Sequence, residues 1–138
     1  MLANGIKLGY KKKGSEPGTY TDLTGLKEVP EMGAEPEKVE NTCLSDTVKK
    51  YEYGIGDPGD LEFKFKYENK SATSPYRVLR AAADAKEVLS FQETFPDGTT
   101  FTWDAQVSVK LGGGGVNGVI DFTLKMALQS EISVTDPE

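Results

Sequence analysis

At 138 residues the chain has the size of one domain, and its 16 basic against 22 acidic side chains, net −6, make it a poor candidate for tight nucleic-acid binding. Such binding draws on lysine and arginine displacing counterions from phosphates. Histidine is absent and cysteine single, which excludes Ser–His and Cys–His nucleophile pairs and any internal disulfide.

No apolar run approaches the roughly 18–20 residues of a membrane span. The opening Met1-Leu2-Ala3-Asn4-Gly5 lacks the basic stretch and apolar core of a signal peptide. Together these features predict an intracellular origin.

Along the chain, Ile6, Leu8 and Tyr10 alternate with Lys7, Gly9 and Lys11, the period of a strand with one apolar face. Gly14-Ser15-Glu16-Pro17-Gly18 reads as a turn cluster. Lys11-Lys12-Lys13 is the only basic run, and reads as an edge strand guarded by lysines against unwanted pairing. Thr19 to Val29 forms a second, less regular extended stretch, and Lys38 to Thr42 a short strand around Val39. From Cys43 to Asp60 the pattern changes to a long arm or loop, at about 43–60. Tyr51, Tyr53 and Ile55 fall on one side of it, with Gly54, Gly56, Pro58 and Gly59 interspersed.

A clear half-buried strand follows, with Leu61, Phe63, Phe65 and Tyr67 alternating with Glu62, Lys64, Lys66 and Glu68. The spacing then predicts one helix over Ser74 to Lys86. Ser74 would be its N-cap, Pro75 its first residue, Val78, Leu79, Ala82 and Ala85 its buried face, and Arg80 with Asp84 an outer pair. Leu89, Phe91 and Phe95 lead into Pro96-Asp97-Gly98-Thr99, a hairpin turn. Phe101, Trp103, Ala105, Val107, Val109 and Leu111 form the cleanest alternating strand. Ile120, Phe122, Leu124, Met126 and Leu128 repeat the pattern, and Thr135 to Glu138 reads as a frayed end. The sum is a mainly β chain, an antiparallel β-sandwich or barrel with one short α-helix and a long loop.

Candidate chemical motifs have simpler explanations. Gly113 to Gly118 matches the G-x-G-x-x-G string of dinucleotide folds, but a strand-period segment follows where that chemistry needs a helix N-terminus. Asp57, Asp60 and Glu62 lack the spacing of a calcium loop. Asp104 beside Trp103 is the least implausible catalytic carboxylate, yet it lies on the polar face of an ordinary strand. No catalytic, cofactor or metal residues are predicted. The arm admits two readings: a loop folded back on its own domain, or an intersubunit contact, since clustered exposed aromatics mark interfaces.

The order of these features resembles the major tail tube proteins of long-tailed (siphovirus, lambda-like) bacteriophages and prophages. It rests on the loop around Thr47 to Gly59, on Leu61 to Tyr67 with the lone helix Ser74 to Lys86, and on two C-terminal stretches. These are Phe95-Pro96-Asp97-Gly98-Thr99-Thr100-Phe101-Thr102-Trp103 and Gly115-Val116-Asn117-Gly118-Val119-Ile120-Asp121-Phe122-Thr123-Leu124. The likeness covers most of the chain from Tyr10 onward.

The resemblance implies a non-enzymatic virion subunit, residues 1–138 forming a single tail tube domain. Hexameric rings would stack into the tube that conducts DNA during ejection. Implied partners are further copies of the chain and tape measure, terminator and distal tail proteins, with DNA passing through the lumen without specific binding. The implied location is the virion tail, after synthesis in the bacterial host cytoplasm. The candidate subunit interface is Thr47, Lys49, Tyr51, Tyr53 and Ile55. Two alternatives stay open: a tube protein of a related contractile or secretion system, and a carbohydrate-binding β-sandwich module. The second requires a solvent-facing row of aromatics on one sheet.

Overall fold

Period-two alternation becomes strand throughout the chain. The computed structural model describes residues 1–13, 20–33, 35–57 and 60–137, so the predicted turn at 14–18 and Pro58-Gly59 lie outside it. Its elements are β1 (Lys7–Lys12), β2 (Thr21–Leu23), β3 (Leu26–Glu28), β4 (Glu35–Glu40), β5 (Tyr51–Asp57), β6 (Leu61–Lys66), α1 (Pro75–Ala85), β7 (Val88–Thr94), β8 (Thr100–Leu111), β9 (Asp121–Leu128) and β10 (Ser133–Thr135). The fold is mainly β, antiparallel, with one short helix.

One sheet runs in the order β2-β1-β7-β8-β9-β6-β3, and β10 adds to β8. Its two outermost strands, β2 and β3, are separated in the chain only by Thr24 and Gly25. The sheet therefore has to curl until its ends approach, which makes it a barrel rather than two independent layers. β1 is not an edge strand, because Leu8 pairs with Leu23 of β2 on one side and Glu93 of β7 on the other. The lysines following it serve other ends: Lys11 lies over the Tyr20 ring, 4.8 Å from its centroid, and Lys13 reaches Asp104 at 4.0 Å.

Gly25 turns this corner with φ of +84°, and its carbonyl accepts the Lys66 amide at 2.8 Å. An added Cβ would sit 3.3 Å from Lys66 Cβ. Gly25→Ala is expected to cost about 1–2 kcal/mol, because a left-handed backbone and a tight contact both oppose the side chain. Urea unfolding of the variant checks it, and an unchanged midpoint would show that the corner relaxes freely.

The interior is filled by the inward rows of the long strands. Leu61, Phe63 and Phe65 stand opposite Met126, Leu124 and Phe122, and Val107 opposite Met126 on the other side. All are buried, with Leu8, Leu23, Leu89, Phe91, Trp103 and Ala105. The alternation in β8 fades at its far end, where Leu111 is exposed, and Ile120 lies outside β9 and is exposed too.

Helix α1 begins at Pro75 as its sequence predicts, but Ser74 does not cap it. The Ser74 Oγ instead accepts the Lys70 and Ser71 amides of the preceding turn, at 3.0 and 3.1 Å. The buried helix face is Leu79 and Ala82, with Tyr76 and Ala83 packed beside them, while Ala85 is exposed. Tyr76 edges onto both Tyr67 and Phe122, and this aromatic contact rotates the helix away from the predicted Val78–Ala85 stripe. Arg80 accordingly lies over the Tyr76 ring, 5.3 Å from its centroid, and forms no ion pair with Asp84 among the described residues. Lys86 in the left-handed region ends the helix, its amide and that of Glu87 bonding back to Ala83 and Ala82.

The turn at 96–99 forms as predicted. Gly98 has φ of +100°, the Phe95 amide donates to the Thr99 carbonyl at 2.9 Å, and the Thr99 amide donates to Asp97 Oδ1 at 2.9 Å. That backbone donation holds the Asp97 carboxyl below its ordinary pKa. The C-terminal segment is not frayed throughout: Ser133, Val134 and Thr135 pair with Thr102, Phe101 and Thr100 as β10.

Candidate functional site

The arm is a β-hairpin that stands apart from the barrel. Lys38 to Glu40 of β4 pair with Tyr51 to Tyr53 of β5, and Glu35 and Pro36 with Asp57 and Gly56, the register shifting between Pro36 and Lys38. The strand therefore begins at Glu35, and the predicted loop from Cys43 supplies its tip and returning strand. Alternation sends Tyr51, Tyr53 and Ile55 to one face, beside Glu40 and Lys38, and puts Val39 and Glu52 on the other.

The tip is braced by its own polar groups. The Asn41 amide donates to the Lys50 carbonyl at 2.8 Å, and the Lys50 amide to Thr42 Oγ1 at 3.0 Å. Asp46 Oδ2 accepts the Cys43 amide at 2.8 Å, Lys50 reaches Asp46 at 3.2 Å, and Asn41 Nδ2 donates to Glu52 at 2.7 Å. The geometry of the hairpin is thus set locally, without the barrel.

All five sequence-predicted interface residues lie on this hairpin and are exposed, Thr47 and Lys49 at the tip and the other three along β5. Tyr51, Tyr53 and Ile55 keep 56, 69 and 94% of their surface, too much for a loop packed back onto its own body. Sequence reasoning missed Leu44 and Val48 at the tip and Val39 on the opposite face, all equally uncovered. The signal for the first two was present, as lone apolar residues within a polar turn.

The other candidates resolve into structure. The glycine-rich segment is the β8–β9 connection, in which Asn117 has φ of 63° and the Gly112 amide bonds the Asp121 carbonyl. Strand β9, not a helix, follows it. Asp60 and Glu62 flank Lys125, at 3.8 and 3.7 Å. Asp104 accepts the Ser90 hydroxyl at 2.7 Å. Among the described residues no three Cys, Asp or Glu side chains gather as a metal site.

A sequence model of the family described as "phage tail tube protein, TTP" matches residues 14–137. The chain belongs to the phage tail tube protein family. No curated protein matches it.

Three solved structures resemble this tail tube protein in fold. A chain of the anti-feeding prophage baseplate, six-fold symmetrised, superposes with a TM-score of 0.74 at 14% identity, over 99% of this chain and 95% of that one. A chain from the tail of an empty gene transfer agent particle, refined with C6 symmetry, gives 0.72 at 21% identity over 97% and 99%. A chain of the native gene transfer agent virion gives 0.71 at 18% identity, over 98% of each. The likeness spans nearly the whole of each chain, so the fold of the tail tube subunit extends to hairpin and barrel alike.

Proposed function

We propose that residues 1–138 act as one structural unit that closes into six-membered rings, and that the rings stack into a tail tube through the β4–β5 hairpin. The observation that carries this reading is the bare face of Tyr51, Tyr53 and Ile55. A two-stranded hairpin alone in water is marginally stable, and clustered aromatics without cover mark a surface awaiting a partner. A second copy of the chain satisfies both needs in a repeating, closed assembly. The six-fold particles that contain the similar chains support a ring of six.

A net charge of −6 suits a conduit, because an acidic wall repels the DNA that passes it. No chemical step is assigned to the subunit. Tape measure, terminator and distal tail proteins are its proposed neighbours in the virion. A tube of a contractile injection system is the second reading, favoured by the likeness to the anti-feeding prophage chain.

Light scattering over a concentration series, with negative-stain images of the concentrated protein, tests the assembly. Rings or tubes six subunits around are expected. The Tyr51→Ala, Tyr53→Ala double variant should keep its thermal melting within a few degrees and lose stacking. A double variant that stacks as readily as the natural chain would remove the hairpin from the mechanism.

A further inference from the structure

The exposed face of the hairpin has an unmatched counterpart on the barrel. Between α1 and strands β1 and β7 runs a groove of about 410 Å³, floored by Tyr10, Val78, Ala81 and Leu89. Alanines on the helix leave the space open. Lys12 and Arg77 stand on the rim with Glu87, and neither cation enters an ion pair among the described residues. Arg77 is held in place by its Nε donation to Asn69 Oδ1 at 2.8 Å.

We infer that this groove receives the Tyr51–Tyr53–Ile55 face of the hairpin from a second copy of the chain, an inference that rests on the tube-subunit reading. Three properties match. Tyr51 and Tyr53 are the large aromatic side chains left exposed among the described residues, and the groove offers an apolar floor with a ring of its own, Tyr10. Charge is complementary, since Glu37, Glu40 and Glu52 outnumber Lys38 on the described hairpin strands while two cations against one carboxylate rim the groove. The remaining large groove, about 520 Å³ beside Ala3 to Ile6 and Leu26 to Val29, fits less well, because its lysine, Lys27, is already bound to Asp121 at 3.0 Å.

Disulfide trapping decides the contact. In a Cys43→Ser background, a Tyr53→Cys chain is mixed with an Ala81→Cys chain, concentrated until tubes sediment, and oxidised. A cross-linked dimer is expected from this mixture and not from Tyr53→Cys mixed with Glu28→Cys, which probes the other groove. A second variant, Ala81→Arg, fills the groove from an exposed helix position and should raise the concentration needed for tubes about tenfold or more without changing melting. Sedimented tubes with no dimer, or an equal dimer at Glu28→Cys, overturn the groove and leave the tube reading intact. Failure of the natural chain to form rings or tubes under any condition overturns both.

Discussion

Trp103→Ala is expected to remove about 3–5 kcal/mol of folding stability, the usual range for emptying a large buried aromatic site. Trp103 is 2% exposed at the centre of β8. Its indole stacks between Phe63 and Phe91, with ring centroids 6.1 Å away on both sides, and its Nε1 points to Met126 Sδ at 3.1 Å. One residue thus ties together β6, β7, β8 and β9. Each aromatic pair contributes roughly 0.5–1.5 kcal/mol beyond burial, so both losses add to the cavity. A domain of this size has a total stability of about 5–15 kcal/mol, and the variant is expected to be partly unfolded at 37 °C. Urea titration by circular dichroism measures the shift. Trp103→Phe should recover most of it, since the ring remains, and equal losses for both variants would point to the indole N–H instead of the packing.

Glu93 carries the second large effect, and it depends on pH. It occupies an inward position of β7, 0% exposed, with apolar Leu8 and Phe101 as its ladder neighbours. Neither carboxylate oxygen has a hydrogen-bond partner. Burial pushes its pKa from the ordinary 4.5 up to about 7. A raised carboxyl pKa means that the folded state holds the proton more tightly than the unfolded state does. The group's contribution is therefore whole below about pH 4.5, declines as pH rises toward 7, and stays lost above it. The difference amounts to roughly 3 kcal/mol across that window. Glu93→Gln cannot ionise and should match the natural chain near pH 4.5 while exceeding it by about that amount at pH 8. Comparing the two proteins at each pH cancels the other carboxylates. A gap that does not change with pH would mean that Glu93 stays neutral or finds a partner.

The strands with strict alternation were legible because one buried face imposes a period of two, and β6, β8 and β9 show it without interruption. The turn at Pro96 to Thr99 was legible for its own chemistry. Glu93 was not, because a carboxylate on the inward row contradicts the pattern that identifies the row. The helix face was ambiguous for a related reason: with Ala81, Ala82, Ala83 and Ala85 in a row, several stripes look equally apolar, and only the contact of Tyr76 with Phe122 selects one. Strand β10 is three residues long, too short for any period.

The hairpin was recognisable as exposed aromatics but not as a ladder, since Gly54 and Gly56 dilute the β signal and Pro36 interrupts its partner. The groove that faces such a hairpin joins Tyr10, Val78 and Leu89, residues with no relation along the chain. Proximity of that kind exists only after folding.

The pairing of β1 with β7 also sets a timetable for synthesis. Leu8 meets Glu93, so the ribosome must add more than 80 residues before the first strand finds its long partner. At about 5–20 residues per second this takes on the order of 4–17 seconds. During that time the hairpin segment has already emerged, its tyrosines bare, while the barrel beside it has no completed sheet. Copies made close together on one message therefore meet first through their stickiest segment, before the groove that would hold it exists. The exposed tip stays soluble through this interval because charge surrounds it, with Glu40, Asp46, Lys49, Lys50 and Glu52 interrupting every apolar run.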